Sequence, residues 1–191
     1  MNNKSHALFI FVLISLATLT RLLPHPTNFT PLIAIALLAG RQLPGRLPSI
    51  GIVAASMLAV DLPLILTQVI PQSGPDIISK ILIVNTFVYG TIFGIVLISN
   101  RVQKLKNWQF TIVGTLAASL AFFLTTNFAS WIAFYPHSWS TLGQCYLSAI
   151  PFFKHTWLST VLYSGVFYLA LEAFQQWHHR RALHQSAETT S

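Results

Sequence analysis

Apolar residues are grouped in long, nearly uncharged runs along this chain, and short polar or basic clusters separate the runs. A helix needs about 20 predominantly apolar residues to cross the ~30 Å hydrocarbon core of a bilayer, so each run can be judged by its length. Six helical spans are predicted in this way, at residues 7–22, 28–40, 48–70, 77–99, 109–135 and 147–174. The second is short, so we expect it to be partly buried among its neighbours, extended by its flanks or inserted from one side.

Composition excludes a soluble globular protein. Of the 191 residues, 53% are hydrophobic and only 8% are charged, whereas an ordinary soluble domain has roughly 25% charged residues. The mean hydropathy is +0.62. The sequence therefore predicts an all-α, integral membrane six-helix bundle that forms one domain over residues 1–177, followed by a disordered polar tail over residues 178–191.

Basic residues give the predicted bundle an orientation. The sequence has eleven Lys and Arg but only four Asp and Glu, which gives a net charge of +7. In a soluble protein this charge would suggest binding to nucleic acid. Here the basic residues lie in short clusters between apolar runs, as in loops that face anionic lipid, so the predicted partner is the lipid bilayer and not nucleic acid. With both termini in the cytoplasm, the inner segments hold eight of these eleven residues, namely Lys4, Arg41, Arg46, Arg101, Lys104, Lys106, Arg180 and Arg181.

Polar residues of four predicted helices lie at similar depth in the outer half. Helix rise places Asp61, Asn85, Asn127 and the neighbours Lys154 and His155 within about a turn of one another. A bare charge at that depth is unfavourable by at least ~2.5 kcal/mol, so Asp61 and Lys154 are predicted to pair. This cluster either anchors a ligand or is an architectural ion pair with interhelical hydrogen bonds.

Aromatic residues are concentrated on the same outer side. Part of this excess is an interfacial belt, but few aromatics mark the inner side, and the asymmetry predicts an outward-open apolar pocket with a few polar anchors. The outer set comprises Phe122, Phe123, Phe128, Trp131, Phe134, Tyr135, Trp139, Tyr146, Phe152, Phe153 and Trp157. Small residues also predict tight helix contacts, internal or with a partner, at three pairs: Ala36 and Gly40, Gly51 and Ala55, Gly90 and Gly94.

Motifs for common catalytic chemistry are missing from the sequence. It has no phosphate-binding Gly-Lys-Ser/Thr loop, no His-Glu-x-x-His and no serine nucleophile elbow. We therefore expect no enzyme, no intrinsic cofactor and an energy source outside the chain. His25, His137, His155 and the single cysteine, Cys145, in a predicted outer loop over residues 136–146, would permit a metal site, although each also fits an ordinary loop, helix-end or packing role.

Three segments carry a resemblance to a known family. They are Arg-Leu-Leu-Pro-His-Pro-Thr-Asn-Phe-Thr-Pro at 21–31, Thr-Asn-Phe-Ala-Ser-Trp at 126–131 and Cys-Tyr-Leu-Ser-Ala-Ile-Pro-Phe-Phe-Lys-His-Thr at 145–156. With them the chain resembles a family of small bacterial membrane proteins of unassigned function, which looks like the S-components of energy-coupling factor vitamin transporters.

The resemblance implies a six-helix protein of the bacterial inner membrane that binds a vitamin from outside and joins a transmembrane coupling protein with ATPases. Solitary cobalamin-binding members are similar in size and coordinate cobalt through a cysteine, which would be Cys145 here. One departure is that residues 7–22 lack the alanines spaced by three that commonly dock the coupling module. This favours a solitary or differently coupled protein.

The leading hypothesis is an uptake protein for a vitamin-class ligand, with cobalamin or a related corrinoid as the specific candidate. One rival is a structural or assembly protein, and another is an intramembrane enzyme that uses Asp61 and His155 as an acid/base pair. The predicted ligand-binding residues are His25, Asn28, Asp61, Asn85, Asn127, Trp131, Tyr146, Phe152, Lys154 and His155, with Cys145 as the cobalt ligand.

Overall fold

A computed structural model describes residues 3–72 and 74–188, and over these residues the chain forms a bundle of six helices. The prediction of an all-α six-helix bundle is confirmed. A π-helical turn, Ile65–Val69, and a short helical segment, Ile70–Gln72, continue the third helix. The six helices are α1 (Asn3–Thr20), α2 (Leu32–Gln42), α3 (Arg46–Leu64), α4 (Pro75–Arg101), α5 (Asn107–Phe134) and α6 (Trp139–Glu188).

Four of the described helices are long and apolar enough to cross a membrane. The exposed surface of these helices also agrees with a membrane location. Helix α5, for example, exposes a stripe of leucines at Leu116, Leu120 and Leu124, each about half exposed. A contiguous apolar stripe of this kind is unfavourable in water and matches lipid. The chain is therefore a membrane protein, and the stretches long and apolar enough to span are Arg46–Thr67, Pro75–Arg101, Asn107–Phe134 and Trp139–Arg181.

The short helix α2 forms the centre of the bundle. It has 11 residues, and every residue from Leu32 to Gly40 is buried. The other five helices all contact it. A helix that is apolar on all sides is stable only when it is surrounded, so the prediction that the second span is buried among its neighbours is confirmed.

A glycine sets the distance between α2 and α4. A Cβ added at Gly40 would lie 2.4 Å from the carbonyl oxygen of Val96 and 2.7 Å from Cβ of Ser99. The predicted close contact at Gly40 is therefore internal to the bundle. At Gly51, Gly90 and Gly94 an added Cβ meets nothing within 4 Å, so the tight contacts predicted there are not made among the described residues.

The bundle has two ends, which we name after their arginines. The Arg21 end holds the connections that follow α1, α3 and α5, and the Arg41 end holds those that follow α2 and α4. At the latter, Arg41 donates from Nη1 to the carbonyl of Val102 and from Nη2 to that of Leu105 at 2.5 Å. Its guanidinium also lies 4.9 Å from the ring centroid of Phe110. Arg41 therefore satisfies carbonyls that the end of α4 leaves free.

Helix α6 begins earlier than the sequence predicted. We expected a loop over residues 136–146, but the helix starts at Trp139 and carries Cys145 and Tyr146. The cause is a reciprocal cap in which the Ser138 N–H donates to Thr141 Oγ1 and the Thr141 N–H donates to Ser138 Oγ, both at 3.3 Å. Such a cap satisfies donors that a helix start leaves free, so the chain turns into a helix here.

The same helix also ends later than predicted. The tail over residues 178–191 was expected to be disordered, yet residues 178–188 continue α6, and residues 189–191 lie outside the described residues. Aromatic contacts extend past the apolar run, with the ring of His178 centred 4.5 Å from Phe174 and 4.8 Å from Trp177. The Arg181 guanidinium lies 4.1 Å from the centre of the Trp177 ring. These contacts hold the first turn of the supposed tail in the helix.

Candidate functional site

An ion pair between α1 and α3 lies at the Arg21 end. Arg21 directly follows α1 and donates from Nη2 to Oδ1 of Asp61 on α3 at 2.5 Å. The hydroxyl of Tyr89 on α4 donates to the second oxygen of the same carboxylate at 3.0 Å. The predicted pair of Asp61 with Lys154 is therefore wrong. Lys154 is exposed on α6, whereas Arg21 reaches Asp61 from the turn after α1. The depth of residues along the predicted spans could not predict this contact.

Two hydroxyl pairs extend this polar layer along α1. Thr18 Oγ1 lies 2.6 Å from Ser56 Oγ on α3, and Thr20 Oγ1 lies 2.8 Å from the hydroxyl of Tyr163 on α6. Each hydroxyl of α1 also donates to a carbonyl of its own helix. The Arg21 end of α1 is thus fixed to two other helices by hydrogen bonds that lipid cannot replace.

Two adjoining cavities lie beside this polar layer. The Arg21 cavity has a volume of about 150 Å³ and is lined by Arg21, Asn28, Thr30, Leu32, Ile33, Phe122 and Thr156. The aromatic cavity has a volume of about 200 Å³ and is lined by Asn28, Val84, Val88, Phe122, Phe123, Thr126, Asn127, Ser130, Ala149, Phe152, Phe153 and Thr156. They share Asn28, Phe122 and Thr156, so they adjoin each other.

The wall that the cavities share combines rings with polar side chains. Asn28 is in the left-handed region with φ 64°, a conformation that Asn tolerates better than most residues. Asn28 belongs to a turn in the connection between α1 and α2, in which the Phe29 N–H donates to the Pro26 carbonyl at 2.9 Å. This turn places Asn28 in the lining of both cavities together with Phe122. Apolar lining with a few polar groups is typical of small-molecule sites.

Three of the predicted ligand-binding residues line the aromatic cavity: Asn28, Asn127 and Phe152. Asn127 is held in place because its Nδ2 donates to the carbonyl of Phe123 at 2.7 Å. Phe152 and Asn28 are both exposed, so the cavity is reachable from outside the bundle.

Two predicted aromatic residues lie behind the lining. The Tyr146 hydroxyl donates to the carbonyl of Leu124 at 2.7 Å, and its ring is centred 5.8 Å from that of Phe123. Trp131 donates from Nε1 to Thr141 Oγ1 at 3.1 Å, and its ring is centred 5.1 Å from that of His137. Both residues position the α5 and α6 walls and do not themselves line the cavities.

The remaining predicted polar residues lie apart from the lining. His25 is exposed in the loop after α1, and Asn85 is half-buried on α4. His155 lies with Nδ1 3.2 Å from the carbonyl oxygen of Thr27 and so joins α6 to that loop. Asp61 bonds Arg21 and Tyr89 instead, so the proposed acid/base pair of Asp61 with His155 is not formed among the described residues.

The single cysteine is buried between α5 and α6. Cys145 is 4% exposed, and its Sγ donates to the carbonyl of Asn127 at 3.4 Å. It does not belong to the lining of either cavity. Across the described part of the chain, no three His, Cys, Asp or Glu side chains come together as a metal site would need.

Several lining residues were missed in the sequence, above all Arg21, Thr126, Ser130 and Thr156. The three hydroxyl residues lie on α5 and α6 among apolar neighbours and give no signal that distinguishes them from ordinary helix-bonded hydroxyls. Arg21 did give one. It is a basic residue at the predicted outer end of the first predicted span, where the positive-inside rule disfavours it, and such an exception needs a partner or a function.

Other depressions are present elsewhere on the described surface. A polar cavity of about 370 Å³ lies at the Arg41 end, but its arginine already bonds the carbonyls of Val102 and Leu105. An apolar groove of about 470 Å³ between α4 and α5 runs along Gly90 and Gly94. Neither combines an aromatic wall with free polar groups as the paired cavities at the Arg21 end do.

Comparison with known proteins gives one match. A family described as one of unknown function, DUF6580, matches the chain over residues 1–183. No curated protein matches the chain, and no solved structure matches it.

Proposed function

We propose that this chain, which belongs to the family of unknown function DUF6580, is a membrane-embedded binding protein for the uptake of a compact, vitamin-class ligand. The ligand enters the adjoining cavities at the Arg21 end. One observation carries the proposal, namely the aromatic cavity, where Phe122, Phe123 and Phe152 face the polar groups of Asn28 and Asn127. A bundle that served only as a scaffold would be expected to fill this space.

Close packing around the central helix supports the interpretation that the aromatic cavity is a binding site and not a packing defect. The central helix α2 is packed closely enough that Gly40 admits no Cβ, and Val53, Ile92 and Val96 around it are fully buried. Protein interiors leave few voids larger than a water molecule. Space kept open beside a closely packed central helix is therefore expected to have an occupant.

Charge supports an orientation in which the cavities face outward. The connections at the Arg41 end carry Arg46, Lys104 and Lys106, and α4 ends there at Arg101. Cytoplasmic loops hold the excess of Lys and Arg, so in this proposal the Arg41 end is cytoplasmic. The Arg21 end then faces the outside of a bacterial inner membrane, and both termini lie in the cytoplasm.

Cavity size favours a compact vitamin over cobalamin. Pockets for drug-sized ligands have volumes of about 300–1,000 Å³, and the two cavities have about 150 and 200 Å³. A corrinoid macrocycle with its nucleotide loop would require the helices to move apart. Cys145, the cobalt ligand that the resemblance implies, donates to the carbonyl of Asn127 and is 4% exposed. We therefore retain the vitamin class and place cobalamin behind smaller members of it.

Energy for uptake would come from outside this chain. The S-components that the sequence resembles use a transmembrane coupling protein with ATPases, and we include such a partner in the proposal. The groove along Gly90 and Gly94 on α4 and α5 faces outward and is apolar, and small residues of this kind let another helix approach closely.

A thermal-shift screen of the detergent-purified full chain tests the proposal. The panel contains small B vitamins, cobalamins, haem and divalent metals, because a ligand that prefers the folded state raises the apparent melting temperature. We expect a small vitamin to raise it. No shift from the whole panel would contradict the proposal and favour a structural or assembly role.

Two variants and a control assign any such shift to the cavity. Ala149→Leu fills the aromatic cavity, and Thr126→Val removes a lining hydroxyl at nearly constant volume. Ser148→Leu adds similar bulk at the exposed neighbouring position on α6. The two lining variants are expected to weaken binding, and the control is expected to retain it. A shift that survives both lining variants would place the ligand elsewhere.

A further inference from the structure

One nitrogen of the Arg21 guanidinium is buried without a partner. Nη2 is bound to Asp61, but Nη1 is shielded from solvent and has no hydrogen-bond acceptor among the described residues. The side chain as a whole is only 11% exposed. Arg21 also lines the smaller of the two cavities. Arg21 therefore borders an open space, and a small shift of its side chain would bring the unpartnered nitrogen to that space.

Such a donor is unfavourable unless something accepts from it. A buried polar group left without a partner destabilises a protein by about 1–3 kcal/mol, and by more when it is charged. Native proteins keep few such groups, and those they keep need an explanation. Asp61 accepts from Nη2 and from Tyr89 in this arrangement, and neither of its oxygens accepts from Nη1.

The cavity beside Arg21 offers further donors, and the nearby acid, Asp61, is bound to the other guanidinium nitrogen and lies outside the lining. Asn28 brings an amide and Thr30 a hydroxyl to the same cavity, and no described acidic residue lines either cavity. A carboxylate accepts hydrogen bonds only, and arginine is the side chain that binds it most favourably through paired N–H groups. The chemistry of this wall is complementary to a carboxylate that comes from outside the chain.

We propose that the ligand is a small amphipathic monocarboxylate whose carboxylate accepts from Arg21 Nη1 and Asn28, while its apolar part occupies the aromatic cavity. The inference rests on the proposed function and specifies its substrate class. Phe122 and Thr156 belong to both cavities, so one compact molecule spans them. The carboxylate source is either a water-soluble vitamin acid or a free fatty acid from the bilayer.

Matched acids and neutral derivatives test the inference on the unmodified full chain. The pairs are nicotinate and nicotinamide, pantothenate and pantothenol, biotin and biotinamide, and, for an acid drawn from the membrane, octanoate and octanamide. We expect at least one acid to bind about tenfold more tightly than its neutral partner, the effect of one lost charge-assisted hydrogen bond. Binding by the vitamin acid or by octanoate alone identifies the source.

The two proposals fail in different ways in this experiment. Neutral derivatives that bind as tightly as their acids would overturn the carboxylate inference and leave a ligand site in the cavities. If none of these compounds and none of the wider panel bound, both the inference and the proposed function would be wrong.

Near-isosteric variants then locate the contact. Asn28→Asp brings a carboxylate of the protein itself to the cavity at a position whose positive φ Asp also tolerates. We expect it to weaken acid binding by about tenfold or more and to spare the neutral derivative, since like charges repel. Gln144→Glu adds the same charge at an exposed residue of α6 outside both linings and is expected to leave acid binding unchanged. Equal effects from the two variants would overturn the inference.

Discussion

Nη2 of Arg21 donates to Oδ1 of Asp61 at 2.5 Å, and this ion pair joins the turn after α1 to the last turn of α3. Asp61→Leu removes the acceptor and leaves the guanidinium buried without an anion. Breaking a hydrogen bond to a charged group destabilises by about 2 kcal/mol, which for a chain of this size corresponds to a fall of about 4–8 °C in melting temperature. Thermal unfolding in detergent measures it.

A double-variant cycle separates this loss from a packing effect. Arg21→Leu combined with Asp61→Leu leaves no uncompensated charge, and replacing both partners of a buried pair by apolar residues is often neutral. We expect the double variant to be more stable than Asp61→Leu alone. A double variant whose melting temperature falls by the sum of the two single losses would show that the residues act independently.

The ion pair of Asp61 with Arg21 was predictable from the sequence only in part. Asp61 was correctly expected to need a partner, because the free energy of a lone charge in lipid is unfavourable whatever the fold. Its partner was not predictable from depth along the spans. Arg21 lies in a turn outside the helices. The direction in which its long side chain points depends on how the turn packs in the tertiary structure. The same holds for Asn28, whose place over the cavities depends on one left-handed residue in that connection.

Gly40 carries the contact between α2 and α4. Gly40→Ala would place a Cβ 2.4 Å from the Val96 carbonyl oxygen, which belongs to the backbone and cannot swing away. Overpacking of this kind destabilises by about 1–3 kcal/mol, so we expect a lower melting temperature in detergent.

Gly51→Ala is the matched control. An added Cβ there meets nothing within 4 Å, and alanine stabilises a helix interior by up to about 1 kcal/mol relative to glycine in water. We expect its melting temperature to be unchanged or raised. If both substitutions lowered stability equally, the close approach at Gly40 would not be the cause.

Small-residue spacing alone could not distinguish these two glycines. Gly40 and Gly51 each belong to a small-residue pair spaced by four in an apolar helix, and both pairs predicted tight contacts. What separates them is position, because α2 is surrounded and Gly51 is exposed on α3. The start of α6 was predicted as a loop, although the sequence carried a signal for it, since Ser138 and Thr141 have the spacing of a reciprocal cap.

Burial of Cys145 predicts an unreactive thiol. Its side chain is 4% exposed and donates to the Asn127 carbonyl, so a water-soluble maleimide should label folded protein about tenfold more slowly than protein unfolded in SDS. Ser140→Cys in a Cys145→Ser background provides an exposed thiol on the first turn of α6 and should react rapidly in both states. Rapid labelling of native Cys145 would mean that the thiol is accessible and would restore it as a candidate ligand.

The distribution of basic residues predicts which end of the bundle faces the cytoplasm. His25 and Lys104 are exposed in connections at opposite ends, so single cysteines introduced there, again in a Cys145→Ser background, report the two sides. In spheroplasts, a membrane-impermeant thiol reagent should label His25→Cys directly and Lys104→Cys only after lysis. The reverse pattern would put the cavities on the cytoplasmic side, where a ligand could leave but could not be captured from outside. Labelling of both positions before lysis would show leaky membranes, so a cytoplasmic enzyme retained in the same spheroplasts serves as the control.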